Sequence, residues 1–122
     1  GNAVGMCLPA AMRFNAELPE IRAIYASLAR GAGLAGTEAD DASASVTVIA
    51  QVKSLLRLAG LPLTLQEHGF SQEEIPGLAV EAVEQWTAGF NPRRVFVPEV
   101  EKLYASLFVG STCAEGEIKA CL

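Results

Sequence analysis

Val46-Thr47-Val48-Ile49-Ala50-Gln51-Val52-Lys53-Ser54-Leu55-Leu56-Arg57-Leu58-Ala59-Gly60-Leu61-Pro62 carries the plainest periodicity in the chain. Val46, Ile49, Val52, Leu55, Leu56 and Ala59 recur at three- and four-residue intervals, the spacing of one face of an α-helix. Thr47, Gln51, Lys53, Ser54 and Arg57 take the other side, so the segment predicts an amphipathic helix with those six apolar residues inward. Gly60 and Pro62 stop it, because glycine accepts the left-handed turn that closes a helix and proline cannot continue one.

Toward the N-terminus, Gly31 to Ser45 is rich in Gly, Ala, Asp and Ser and reads as a solvated connection, with Asp40, Asp41 and Ser43 as candidate caps. Pro19 and Glu20 open an earlier helix, proline fitting the first turn and the acid complementing the helix dipole. Its residues Ile21, Ile24, Tyr25 and Leu28 are predicted inward, and Gly31 and Gly33 end it. The first segment holds Val4, Met6, Cys7, Leu8, Ala11, Met12 and Phe14, with scarcely a polar face before Arg13 and Asn15. That pattern predicts a helix covered on every side, kinked or divided at Pro9.

Toward the C-terminus, Leu61 to Leu65 is short, apolar and extended, because a residue before proline avoids the α region. Ser71-Gln72-Glu73-Glu74 is a capping box. The helix it opens carries Ile75, Leu78, Ala79, Ala82, Val83 and Trp86, with Pro76 tolerated in the first turns and Gly89, Asn91 and Pro92 at the end. Pro98 starts a last helix with Val100, Leu103, Tyr104 and Leu107 inward. Residues 109–122 form a small, polar tail, expected to be peripheral. No strand alternation and no repeat is visible, so the fold class is all-α, about five helices joined by Gly/Pro turns.

Composition narrows the function. The 122 residues are 51% hydrophobic, with Lys+Arg 9 against Asp+Glu 14, a net charge of −5. That is one domain or part of one. An acidic chain without a basic face is a poor nucleic-acid partner. No apolar run is long enough for a membrane span, and no basic segment precedes an apolar stretch as in a signal peptide. Cys7, Cys113 and Cys121 are too few and too scattered for a disulfide framework, so a cytoplasmic location is expected.

Self-contained chemistry is hard to find. Gly31-Ala32-Gly33-Leu34-Ala35-Gly36 spells GxGxxG, but it follows a helix and precedes an acidic loop, whereas a dinucleotide fingerprint follows a strand and opens a helix. It is read as a linker. His68, the single histidine, sits in a turn with no second ligand at helical spacing, so no metal site forms around it. Glu73 and Glu74 serve the helix dipole. Cys7 is inert core filling, and Cys113 and Cys121 have no adjacent base.

A resemblance changes the question. The run from Gly1 through Gly5, Pro9, Arg13 and Asn15 resembles the HGxxNAxxLPxxMRFN segment of iron-containing alcohol dehydrogenases. Leu61-Pro62-Leu63-Thr64-Leu65 with Gly69-Phe70-Ser71-Gln72-Glu73-Glu74-Ile75-Pro76 resembles a second passage of that family. Asn91-Pro92-Arg93 resembles its NPR turn, and Val100 to Leu107 its closing helix. The match covers about Gly1 to Phe108 in the family's order.

The resemblance implies the second half of a C-terminal all-helical domain of the dehydroquinate synthase-like type, residues 1–108. In the family this domain follows an α/β domain that binds NAD(P). A divalent metal, usually iron or else zinc, is held by one Asp and three His, the last His immediately before the position of Gly1. On that alignment the chain is expected to be a fragment, inactive alone, with no metal ligand and no cofactor of its own. Bulk added at Gly5 or Pro9 is expected to shift the final ligand. Its parent would be an oxidoreductase acting on an alcohol or aldehyde, and expected partners are a second copy or the missing N-terminal part. Thr87 stands where many members carry a Cys facing nicotinamide and substrate, which makes it a candidate wall of the substrate cleft. Phe96 replaces the usual Ser or Thr cap of the last helix, a change that costs about 1 kcal/mol and predicts fraying unless Phe96 is buried. The alternatives are a maleylacetate reductase-like fragment and a free-standing helical interaction module without catalysis.

Overall fold

The computed structural model describes residues 2–108, with side chains from residue 4 onward. Gly1 and the tail 109–122, with Cys113 and Cys121, lie outside the described residues. Five α-helices account for the fold: α1 (Asn2–Asn15), α2 (Pro19–Gly31), α3 (Asp41–Leu58), α4 (Ile75–Glu84) and α5 (Val97–Ala105). Three short 3-10 turns, Gln66–His68, Gln72–Glu74 and Trp86–Phe90, connect them, and no strand occurs among the described residues. The all-α reading holds.

α2 packs most extensively on α3, and α4 on α5, while α1 touches both α3 and α5. Two hydrophobic clusters follow from this arrangement. Met12 of α1 joins Ala26, Ala29, Ala44, Val48 and Ile49 of the α2–α3 pair. Met6 and Ala10, nearer the start of α1, join Leu65, Ile75, Leu107 and Phe108. The extended segment after α3 is pinned to this second cluster, because the Leu65 N–H donates to the Leu107 carbonyl at 3.0 Å.

The helix ends match their sequence signals. Asp40 caps α3, its Oδ1 accepting from the Ser43 N–H at 2.7 Å. Gly60, at φ 72°, closes α3. Its N–H donates to the Arg57 carbonyl at 2.9 Å and that of Leu61 to Leu56 at 3.1 Å, a Schellman pair that needs the left-handed residue glycine supplies. Gly33, also at φ 72°, ends α2 the same way. In the capping box the Glu74 carboxylate accepts from the Ser71 N–H at 2.7 Å.

Four expectations fail on facing or extent. α1 continues as one helix through a buried Pro9, but Val4 and Leu8 are exposed, so it is covered on only part of its circumference. In α2, Ile24 and Leu28 are 60% and 55% exposed, whereas Ala26 and Ala29 are fully buried. The small residues set the inward face because they let α2 approach α3 closely, and helix separation depends on the side chains at the contact. α3 begins at Asp41, so the connection is shorter than expected. Its buried residues are Ala44, Ser45, Val48 and Ile49, whereas Val46, Leu55 and Ala59 face outward. The inward face is turned from the predicted stripe toward Ala44, Ser45 and Val48, because small residues at the contact let α3 lie close on α2. Finally, α4 stops at Glu84 because Gln85 is extended (ψ 130°), which carries Trp86 off the helix face to 76% exposure, edge-on against Phe90.

Candidate functional site

A cleft of about 440 Å³ opens between α1, the Gln85–Asn91 connection and α5. Cys7, Ala11 and Phe14 face it from α1 at helical spacing. Thr87, Ala88 and Asn91 line it from the connection, and Glu99, Val100, Leu103 and Tyr104 from α5. Its walls are mostly hydrocarbon, with a few polar groups between them, the usual make-up of a small-molecule site.

Beside the cleft, a polar clamp joins the two best-defined sequence motifs across 76 residues. Asn15 Nδ2 donates to Asn91 Oδ1 at 2.9 Å, and Asn91 Nδ2 donates back to Asn15 Oδ1 at 2.7 Å. The Asn91 amide also donates to the Arg93 carbonyl, which fixes the turn that presents it. Arg93 lies over the Phe14 ring, 3.8 Å from its centroid, and its Nη1 donates to the Phe14 carbonyl at 2.9 Å. Ion pairs run from the same guanidinium to Glu17 at 2.6 Å and to Glu99 at 3.1 Å. One planar fork thus ties the end of α1 to the start of α5, a task that the geometry of arginine suits.

Glu99 serves twice. Its other oxygen accepts from the Phe96 N–H at 3.2 Å, so the start of α5 is held although Phe96 is half exposed and carries no cap hydrogen bond. The expected fraying has a compensation in the reciprocal half of a capping box. Because Arg93 neutralises Glu99, the one charged side chain lining the cleft is already paired.

The structure brings together some of the expected residues and separates others. Asn15, Asn91 and Arg93 meet in the clamp, and Thr87 lines the cleft. Pro92 is exposed beside the clamp and Pro9 is buried within α1. Arg13 is half-buried away from the clamp, its Nη1 sealed from solvent without a partner, and burial lowers its pKa. Lys53 is likewise lowered, by burial and then by Arg57 and Arg13. Gly1 falls outside the described residues. At Gly5 an added Cβ would stand 3.1 Å from Leu56 Cδ2, so this glycine lets α1 lie close on α3.

Sequence reasoning did not find Tyr104 and Cys7 as neighbours in a cleft. Burial pushes the Cys7 thiol up, which makes it a poor nucleophile. The Tyr104 phenol is raised by burial and by Cys7. Both lay in the predicted inward stripes, but only the pairing of α1 with α5 makes them one surface.

His68 ends a 3-10 turn, half-buried, with Nε2 sealed and unpartnered. Beside it the Glu67 carboxylate accepts from the Leu63 N–H, the Thr64 N–H and the Thr64 hydroxyl, which holds its pKa below the ordinary range. No group of three His, Cys, Asp or Glu among the described residues could hold a metal ion. No helix of the described residues is long and apolar enough to cross a membrane.

Residues 1–108 match the Fe-containing alcohol dehydrogenase family, C-terminal. The chain is 31% identical over 104 residues to the lactaldehyde reductase of Escherichia coli (strain K12), covering 85% of this chain and 27% of that protein. It is 28% identical over 115 residues to the NADPH-dependent butanol dehydrogenase of Clostridium saccharobutylicum, covering 91% of this chain and 29% of that protein. The chain thus spans little more than a quarter of the length of these relatives.

Proposed function

The chain belongs to the Fe-containing alcohol dehydrogenase family, and from that premise we propose that its cleft is one wall of the substrate site of an NAD(P)-dependent alcohol dehydrogenase. The reaction would pass a hydride between a primary alcohol or aldehyde and the nicotinamide. The observation that carries this reading is the electrical neutrality of the cleft. Its walls are apolar, and Glu99 is paired with Arg93. An uncharged aliphatic substrate loses little on entering such a space, whereas a maleylacetate-type dianion would meet a carboxylate and no free cation.

The described residues do not fit the metal that the family name implies, since no ligand set assembles among them. No step is derived through it. In this reading the ligands, whether for iron or zinc, and the NAD(P) site come from polypeptide beyond these residues. The chain alone is inactive, and the active enzyme is cytoplasmic. The exposure of Val4, Leu8, Ile24, Leu28, Leu55 and Leu58 supports a helical unit covered by further protein over a free-standing module.

A chimera tests the proposal. This chain should replace the matched segment of the Escherichia coli lactaldehyde reductase, and reduction of the aldehyde should be followed by loss of nicotinamide absorbance. Activity in the chimera, with none from the 122-residue chain supplied with Fe²⁺ or Zn²⁺, NAD(P)⁺ and alcohol, is the expected outcome. Turnover by the chain alone, or a folded and metal-loaded chimera that is inert, overturns it.

A further inference from the structure

The arginines of the chain divide into those with a partner and those without. Arg22 donates to the Ala16 and Glu17 carbonyls, Arg30 pairs with Asp41, and Arg93 pairs with Glu17 and Glu99. Arg94 lies over the Phe96 ring. The side chains of Arg13 and Arg57 have no ion pair or hydrogen bond among the described residues, and neither does that of Lys53.

These three cations gather at the contact between α1 and α3. Lys53 and Arg57 stand one turn apart on α3, so they leave the helix on the same face. α1 packs on α3, and Arg13, near the end of α1, acts electrostatically on Lys53 together with Arg57. Arg13 and Lys53 are half-buried and Arg57 is exposed. None of the three lines the cleft.

Such a gathering is unfavourable as it stands, because like charges repel and partial burial strips them of water. The chain carries 14 acidic residues, yet no carboxylate offsets the two cations that act on Lys53. Arg13 Nη1 is sealed from solvent without an acceptor, while its other nitrogens are not sealed in this way, so the guanidinium keeps an open edge. Open donors beside convergent positive charge are what an oxyanion needs. A guanidinium edge matches two oxygens of one anion, and an ammonium adds a point charge. Three positive charges favour a dianion over a monoanion.

We propose that Arg13, Lys53 and Arg57 form a binding site for a doubly charged oxyanion of the phosphate class, on the α1–α3 face and separate from the cleft. The anion accepts from the open edge of Arg13 and neutralises the repulsion among the three side chains. It ties the end of α1 to the last turns of α3, and by binding the folded state it stabilises the fold.

The test uses the full chain. ¹⁵N-labelled protein is titrated with inorganic phosphate, with sodium chloride holding the ionic strength constant, and the amide shifts of α1 and α3 are followed by NMR. The expected result is saturable binding centred on residues 13, 53 and 57. Lys53→Gln and Arg57→Gln should each weaken it, and Arg13→Gln should weaken it about tenfold or more, the range of a hydrogen bond to a charged group. Should Arg13→Gln fail to fold, the two α3 variants decide the matter. Arg94→Gln removes the same charge from an exposed site elsewhere and should leave the affinity within about twofold, since solvent screens distant charges. Acetate, with a single charge, should bind about tenfold more weakly. Shifts that rise without saturating, or an equal loss in Arg94→Gln, reduce the effect to general charge and overturn the site. Acetate binding as tightly as phosphate overturns the preference for a dianion.

Discussion

The α2–α3 pair and the α1–α5 seam are held by different means. Between α2 and α3 the fully buried residues are Ala26, Ala29 and Ala44, and the close approach they permit leaves larger apolar side chains on the outside. The seam instead is fastened by a directional network in which one guanidinium and two amides bond across 76 residues of sequence. Arg30 of α2 does pair with Asp41 of α3 at 3.0 Å, but at the alanine contact itself close packing tolerates little added volume. A hydrogen-bonded clamp tolerates volume better and chemical change worse. The cleft sits on the second kind of contact, where directional bonds set the geometry, while the α2–α3 pair is set mainly by the volume of the residues between the helices.

The largest effect should come from breaking the first kind of contact. Ala29→Leu forces three further carbons between α2 and α3 and should cost about 3 kcal/mol, at the upper end of overpacking effects. Ile24→Ala, on the outward face of the same helix, should change stability by less than about 0.5 kcal/mol. Urea denaturation of both variants gives the comparison. Equal costs would mean that the alanine face is not the packing face.

This contrast also marks how far the fold was legible in the residues. Helix ends are written locally: Asp40, Gly33, Gly60 and the Ser71–Glu74 box lie within a few positions of the groups they satisfy. Facing was misread in α2 and α3, because hydrophobicity ranks Ile24 and Leu28 above Ala26 and Ala29, whereas close approach reverses the order. The clamp residues Asn15, Asn91 and Arg93 were visible as motifs, but their contact was not, because nothing local to either motif encodes a partner so distant in sequence. The cleft was legible only as Thr87. Tyr104 looked like one more core residue until α5 was seen to lie along α1.

The seam should break next, and more selectively. Arg93→Ala removes the ring contact, both ion pairs and the donor to the Phe14 carbonyl, and should cost about 2 kcal/mol, since Arg93 is largely covered and its partners are left behind. Arg93→Lys should recover less than half of this, because an ammonium cannot reproduce the planar fork over Phe14. Full rescue by lysine would reduce the clamp to simple charge pairing. Asn15→Ala should cost about 1 kcal/mol and be coupled to Asn91→Ala in a double-mutant cycle, because each amide is the other's donor and acceptor. Additive losses would show that the reciprocal pair contributes nothing of its own.

The smallest effect separates the two regions by pH. Asp40, at the start of α3, has its pKa lowered first by the hydrogen bond from the Ser43 backbone, then by the Ser43 side chain, with a further contribution from Arg30. A carboxyl group depressed on folding stabilises the protein above its unfolded value, about 3.9 for Asp, and that contribution disappears as pH falls through the folded value. Asn caps a helix nearly as well as Asp but carries no proton to gain. Asp40→Asn should therefore leave the melting midpoint at pH 7 almost unchanged and flatten its decline below about pH 4. Glu67, lowered by its bonds to Thr64 and the Leu63 N–H, lies outside the α2–α3 pair and gives the control. Glu67→Gln should flatten a share of the acid decline that Asp40→Asn leaves in place. Melting midpoints of the two single variants and the double variant between pH 7 and 3 decide it: additive flattening assigns the acid sensitivity to two separate caps, and a parallel decline in all of them removes the caps from its causes.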